Sequence, residues 1–214
     1  MIYEERYTRV ELRRVRDYLH FCRDNTLPAI QSEGGQIICL ATGLIGDPNN
    51  AVLQITGFSG VTSWQAAQKS LPAGRDEFVQ SEEVRLLRPI ASRPKEIIPP
   101  EDRRPVYSYR RFFINPADFS KFVEYSEDGV WPLYEAADCR ILGLWTPLPA
   151  TSPLEIVLMA GYHGPGHWEE TRFFQGKPEG IDDGLWERGQ TLGRQRGELS
   201  VQGSWVRLWR VYQL

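Results

Sequence analysis

The side chains best suited to chemistry in this 214-residue chain are arginines and tyrosines at alternate positions of β-patterned stretches. Tyr7, Arg9 and Glu11 share one face of the first such stretch, and Tyr109, Arg111 and Phe113 form a matching set later in the chain. The opposite face carries Val10 and Leu12, matched by Phe112 and Ile114, an apolar pair suited to packing on helices. Two closing stretches repeat the pattern, with Arg85 and Leu87 matched by Arg207 and Trp209. Adjacent guanidiniums in a partly dry site are unfavourable unless anions meet them. Two readings stay open. The anions are internal carboxylates such as Glu5, Glu11 or Glu155, or they belong to a bound carboxylate or phosphate, for which arginine is geometrically suited. On the second reading Arg9, Arg85, Arg111, Arg207, Tyr7 and Tyr109 are candidate ligand-binding residues.

His163 and His167 flank Gly164-Pro165-Gly166, in a loop after a predicted strand. Their spacing resembles a metal pair, but the intervening glycines and proline forbid the helix that would aim both rings at one ion. His163 is a candidate general base, since imidazole titrates near neutrality. No glycine-rich phosphate loop, nucleophile elbow or paired-cysteine metal site occurs, so neither a metal nor an organic cofactor is expected.

These residues must be positioned by a duplicated scaffold. At an offset of 104, Asp24 matches Asp128, Pro28 matches Pro132, Leu40 matches Leu144, Gly57 matches Gly161 and Trp64 matches Trp168. The closing stretches, Val84–Arg88 and Val206–Arg210, repeat at an offset of 122, so the second half carries 18 extra residues. The pattern predicts two tandem ferredoxin-like βαββαβ units forming a pseudo-dimeric α/β barrel, an α+β fold. The first repeat spans 1–91, a proline-rich linker 92–105, and the second repeat 106–214 with an insertion at 175–203. Each first helix carries a stripe, Val15, Tyr18, Leu19, Cys22 and Thr26 or Phe119, Phe122, Val123, Ser126 and Val130. Pro28 and Pro132 are expected to break or kink it, and Asn115 to supply an N-cap oxygen. The glycines of the insertion predict a surface excursion with at most a short helix near 185–192.

Composition narrows the function. The net charge of −3 gives no electrostatic case for nucleic acid. No apolar run reaches membrane-span length. Three cysteines without CxxC spacing point to reduced thiols and a cytoplasmic location.

The βαββαβ duplication, the proline-containing first helix, the hairpin ending in Gly-aromatic, the following Trp and Leu86-Leu87-Arg88-Pro89 together resemble the NIPSNAP family. The second half departs from it, with Val211 in the place of that proline. The resemblance implies membership of the dimeric α/β-barrel superfamily, beside the antibiotic-biosynthesis monooxygenase and EthD-like groups, and a barrel with a central cavity. It assigns no catalytic residue and leaves open whether the protein is an enzyme. The leading function is binding or transformation of a small anionic or aromatic metabolite in that cavity. The alternatives are a non-catalytic interaction or scaffolding module and, by analogy with some superfamily relatives, a haem-binding barrel. Units that pair with another molecule instead of each other would make a homo-oligomer.

Overall fold

β1 (Ile2–Val10) places Tyr3, Glu5, Tyr7 and Arg9 on one face and Glu4, Arg6, Thr8 and Val10 on the other, because side chains alternate along a strand. The computed structural model describes residues 1–96 and 98–212. Ile97 of the expected linker and the last two residues of the expected second repeat lie outside them. The chain falls into two compact units, residues 1–88 with 207–214, and residues 89–206.

In the first unit, β1 leads into α1 (Val15–Phe21) and α2 (Leu27–Ser32). The hairpin β2 (Gln36–Ile45) and β3 (Ala51–Phe58) follows, then α3 (Val61–Lys69) and β4 (Val79–Pro89). All pairings are antiparallel: β4 lies beside β1, β1 beside β3, and β3 beside β2. That is the ferredoxin-like order expected from the repeat. Gly34, at φ +78°, turns the chain out of α2 into β2, a conformation glycine adopts without strain.

The second unit repeats the plan. β5 (Val106–Ile114), α4 (Phe119–Tyr125) and α5 (Trp131–Ala136) precede the hairpin β6 (Arg140–Leu148) and β7 (Leu154–Tyr162). α6 (Pro165–Glu170) and α7 (Asp183–Glu198) complete its helices. β7 is the central strand, between β5 and β6. From Arg207 on, β8 (Trp205–Val211) belongs to the first unit, where it pairs with β2, Thr42 opposite Arg210. Each unit buries its own helix-side core, Val10, Tyr18, Leu40 and Val52 in the first and Ile114, Phe122, Leu144 and Ile156 in the second.

The structure corrects four expectations. The prolines do not end the first helices. Each sits just past a π turn, Cys22–Thr26 or Ser126–Val130, in which the Leu27 or Trp131 N–H reaches a carbonyl five residues back, Cys22 or Ser126. Pro28 and Pro132 then occupy the opening turn of α2 and α5, where a missing N–H is tolerated. Asn115 caps through its backbone carbonyl, which accepts from the Asp118 N–H at 2.9 Å, and not through its side chain. The insertion carries a continuous 16-residue helix, α7, despite Gly184, Gly189, Gly193 and Gly197. Two glycines on either side of one contact explain it. A Cβ on Gly189 would lie 2.6 Å from the Leu133 side chain, and one on Gly129 of the π turn 2.6 Å from Leu192 of α7. The helix gains close packing where it gives up propensity, and Asp182 caps it by accepting from the Leu185 N–H at 2.9 Å.

The fourth correction concerns register. Tyr3 opposes Gly57 in β3 and Tyr107 opposes Gly161 in β7, so the first strands obey the same 104 offset as the rest of the repeat. Tyr7 therefore corresponds to Arg111, and Arg9 to Phe113, two positions away from the matching drawn from sequence. Faces are unchanged by an even shift. The partners across the repeat are not.

Candidate functional site

At the true offset, Arg6 on the helix-side face of β1 corresponds to Arg110 of β5. Arg6 is 3% exposed and fully neutralised. Its Nε donates to Glu4 Oε1 at 2.7 Å, and its terminal nitrogens reach Glu82 and Gln68. The other oxygen of Glu4 accepts from Trp64 Nε1 at 2.6 Å and Gln68 Nε2 at 2.8 Å. Thr8 Oγ1 donates to Glu82 at 3.0 Å, and Arg75 also pairs with Glu82.

Arg110 has none of this. In its unit, a cavity of about 530 Å³ opens between the sheet and the helices α5 and α7, within the usual range for small-molecule sites. Arg110 reaches it from β5, Arg172 from the turn after α6, and Arg196 from α7. None of the three is paired with a carboxylate among the described residues. Arg196 donates to Ser126 Oγ at 3.2 Å, with its guanidinium 5.2 Å from the Phe112 ring centre and 5.5 Å from that of Phe122. The Arg172 guanidinium stands 5.8 Å from the Trp168 ring. Burial first, and then the facing arginines, lower the pKa of Arg110 and hold that of Arg196 down to about 10. Arg196 is still cationic near neutrality. Apolar walls come from Phe112, Trp131, Leu133 and Leu158, and hydroxyls from Ser108, Tyr134 and Tyr162. Burial pushes the Tyr162 phenol well above its ordinary value, so it is a neutral donor and acceptor. The arrangement can hold an organic anion with an aromatic or apolar body.

The residues singled out from sequence lie elsewhere. Arg85 Nη2 meets Glu5 at 2.8 Å, Arg111 pairs with Glu155, and Arg207 Nη1 meets Asp47 at 3.0 Å. Glu5 and Glu155 are among the carboxylates anticipated, whereas Asp47 is not. Tyr7 donates to Asp47 at 2.9 Å and stands edge-on to Trp209. Burial raises the pKa of Asp47, against the pull of Tyr7, Arg207 and Arg9. Arg9 is half-buried, and its Nε has no hydrogen-bond partner. Tyr109 is buried, with its ring 6.4 Å from that of Trp205.

His163 is half-exposed and does not line the 530 Å³ cavity. Its Nε2 hydrogen-bonds Asp138, a residue at φ 59° that also holds Arg104 and Arg140. These partners, His163 first, depress the Asp138 pKa to about 2. His167 Nδ1 accepts from the His163 N–H, and its Nε2 is 2.7 Å from the Ala137 carbonyl, which fixes the tautomer. Among the described residues no cluster of His, Cys, Asp and Glu is placed to hold a metal.

Arg172 and Arg196 escape a reading that follows identities between the repeats, because the cavity lies where the repeats differ, and Arg110 escapes it because its identity with Arg6 shows only at the 104 register. At the 104 offset, Glu4 becomes Ser108 and Gln68 becomes Arg172. That loss of carboxylate and gain of guanidinium is the signal in the sequence.

No family model and no curated protein matches the chain at the sequence level. Solved structures do match in fold. A candidate monooxygenase from Lactobacillus acidophilus NCFM aligns over 98% of this chain and 93% of its own, at 11% identity and a TM-score of 0.64. An anthrone oxidase-like protein aligns over 99% and 91%, at 10% identity and a TM-score of 0.62. A NIPSNAP domain protein from Burkholderia xenovorans matches only 46% of this chain and 99% of its own, at 16% identity and a TM-score of 0.36. The fold is thus α+β, of the dimeric α/β-barrel class. Identities this low carry the fold and nothing of the activity.

Proposed function

We propose that the protein binds a small organic anion with an aromatic or apolar body in the cavity of the second unit, and that any transformation of it occurs there without an organic cofactor. The observation that carries this reading is the convergence of Arg110, Arg172 and Arg196 on one cavity with no carboxylate among the described residues to meet them. Half-buried charge without a counter-ion is costly, and a bound anion removes the cost. The candidate monooxygenase and anthrone oxidase-like neighbours give oxygenation as the first chemistry to look for in any ligand found.

A second reading keeps the ligand on the opposite sheet face, at Tyr7, Arg9, Arg85 and Arg207 of the first unit or at Tyr109 and Arg111 of the second, where His163 is the candidate base. The unpartnered Nε of Arg9 beside Tyr7 and Asp47 favours it. A thermal-shift screen of aromatic carboxylates and phosphates separates the two. On the first reading Arg110→Met, Arg172→Met and Arg196→Met each abolish the shift, and Arg111→Met and Arg207→Met leave it. The opposite pattern selects the second reading. No shift with any anion removes both, and the interaction-module reading then leads.

NIPSNAP membership and a cytoplasmic location are proposed as well, the latter supported by three buried free cysteines. Among the described residues no helix is long and apolar enough to cross a membrane. Self-association is proposed too, and light scattering of the full chain tests it.

A further inference from the structure

We infer that the cavity of the second unit is built for a carboxylate, and that the ligand's carboxylate takes the place Glu4 fills in the first unit. This rests on the small-anion reading above and adds the head group and its donors. The duplication supplies the template. In the first unit one internal carboxylate, Glu4, collects three donors: Arg6 Nε at 2.7 Å, Trp64 Nε1 at 2.6 Å and Gln68 Nε2 at 2.8 Å. Their counterparts are Arg110, Trp168 and Arg172. The strand registers fix the equivalence, since Glu4 opposes Thr56 and Ser108 opposes Ala160, both at the common offset.

The carboxylate itself is gone. Ser108 stands in for Glu4, and Ser204 stands in for Glu82 at the 122 offset of the closing strands. Both serines line the cavity. The donors persist, and one is orphaned: Trp168 Nε1, beside Arg172 and next to the residues that line the cavity rather than among them, is buried with no hydrogen-bond partner. A buried N–H left unmade is a cost that a ligand acceptor at this point would remove. The exchange of Gln68 for Arg172 adds a charge to the same corner, and Arg196 adds another from α7, which has no counterpart in the first unit. A planar carboxylate matches two guanidiniums and an indole N–H, as Glu4 matches their equivalents. The remaining volume, walled by Phe112, Trp131 and Leu133, takes the apolar body.

The test uses the full chain and four probes: benzoate, phenylacetate, phenyl phosphate and inorganic phosphate. Calorimetric titration should show the two carboxylates binding more tightly than either phosphate. Ser108→Glu should restore the internal carboxylate, raising the melting temperature without ligand and abolishing carboxylate binding. Trp168→Phe, which keeps the ring packing, should weaken carboxylate binding about tenfold. Undiminished benzoate binding by Ser108→Glu, wild-type affinity in Trp168→Phe, or tighter binding of either phosphate overturns the inference while leaving the small-anion reading standing. If no probe binds the wild type and Ser108→Glu lowers its melting temperature, both fall. If Ser108→Glu fails to fold, Trp168→Phe and the carboxylate-to-phosphate order decide alone.

Discussion

At the scale of single residues, burial governs most of the titration behaviour. Burial raises Tyr3 to about 12, and it is also the first cause of the upward shifts of Tyr7, Tyr18 and Tyr162. It likewise pushes the Cys39 and Cys139 thiols to about 12 and raises Cys22. For an acid whose folded pKa lies above its unfolded value, stability is fully present below the unfolded value and is lost as pH rises towards the folded one. Arg196 and Arg110, with lowered pKa values, act in the opposite direction, but four tyrosines and three thiols outnumber them. Stability should therefore hold to about pH 9 and fall between about pH 9 and 12. A melting series across that range checks this, and a melting temperature that rises there contradicts it. The candidate site was poorly legible at this scale. Arg9 and Arg111 stand out by strand alternation, whereas Arg110 belongs to no motif in the sequence. Its meaning lies in missing partners, and a missing partner is invisible until register shows that Ser108 stands where Glu4 would.

At the scale of elements, the strands and first helices were legible because their periodicity is local. α7 was not, because its glycines read as helix breakers when only propensity is weighed. Each glycine costs a helix interior about 1 kcal/mol against alanine, but tertiary contact outweighs that where a helix must approach closely. The glycines of α7 therefore differ. A Cβ on Gly189 meets Leu133 side-chain atoms at 2.6 and 2.7 Å, whereas one on Gly197 meets nothing within 4 Å. Gly189→Ala should destabilise by about 1–3 kcal/mol, the usual cost of overpacking. Gly197→Ala should stabilise by up to about 1 kcal/mol. Opposite signs in urea melts confirm that α7 is held by close packing on α5 and the π turn. Stabilisation by both would mean the helix stands clear of them. The π turns follow the same logic: Pro28 and Pro132 dictate where the helix widens, but nothing in their own identity says that it continues.

At the scale of the molecule, a chain with a net charge of −3 concentrates cations without counter-charges in one cavity of one unit. The two units share the sequence repeat and handle the same arginine in different ways. In the first, Arg6 is locked by Glu4 and Glu82, a buried network whose rupture leaves uncompensated charge. In the second, the matching network lacks its acids, and on the proposed reading a ligand supplies the anion. A ligand that binds only the folded state stabilises by about 2.7 kcal/mol at a hundredfold excess over its Kd. That stabilisation should be confined to the unit that holds the ligand. Hydrogen exchange in saturating benzoate should slow in β5, in α7 and in the turn carrying Arg172. Exchange in β1 and α3, around Arg6, should stay as it was. Because the attraction is partly coulombic and partly solvent-accessible, affinity should also fall as salt rises, though less steeply than for an exposed site. Protection spread equally over both units would mean that the ligand does not distinguish them. Protection centred on β1 and Asp47 would move the site to the opposite sheet face.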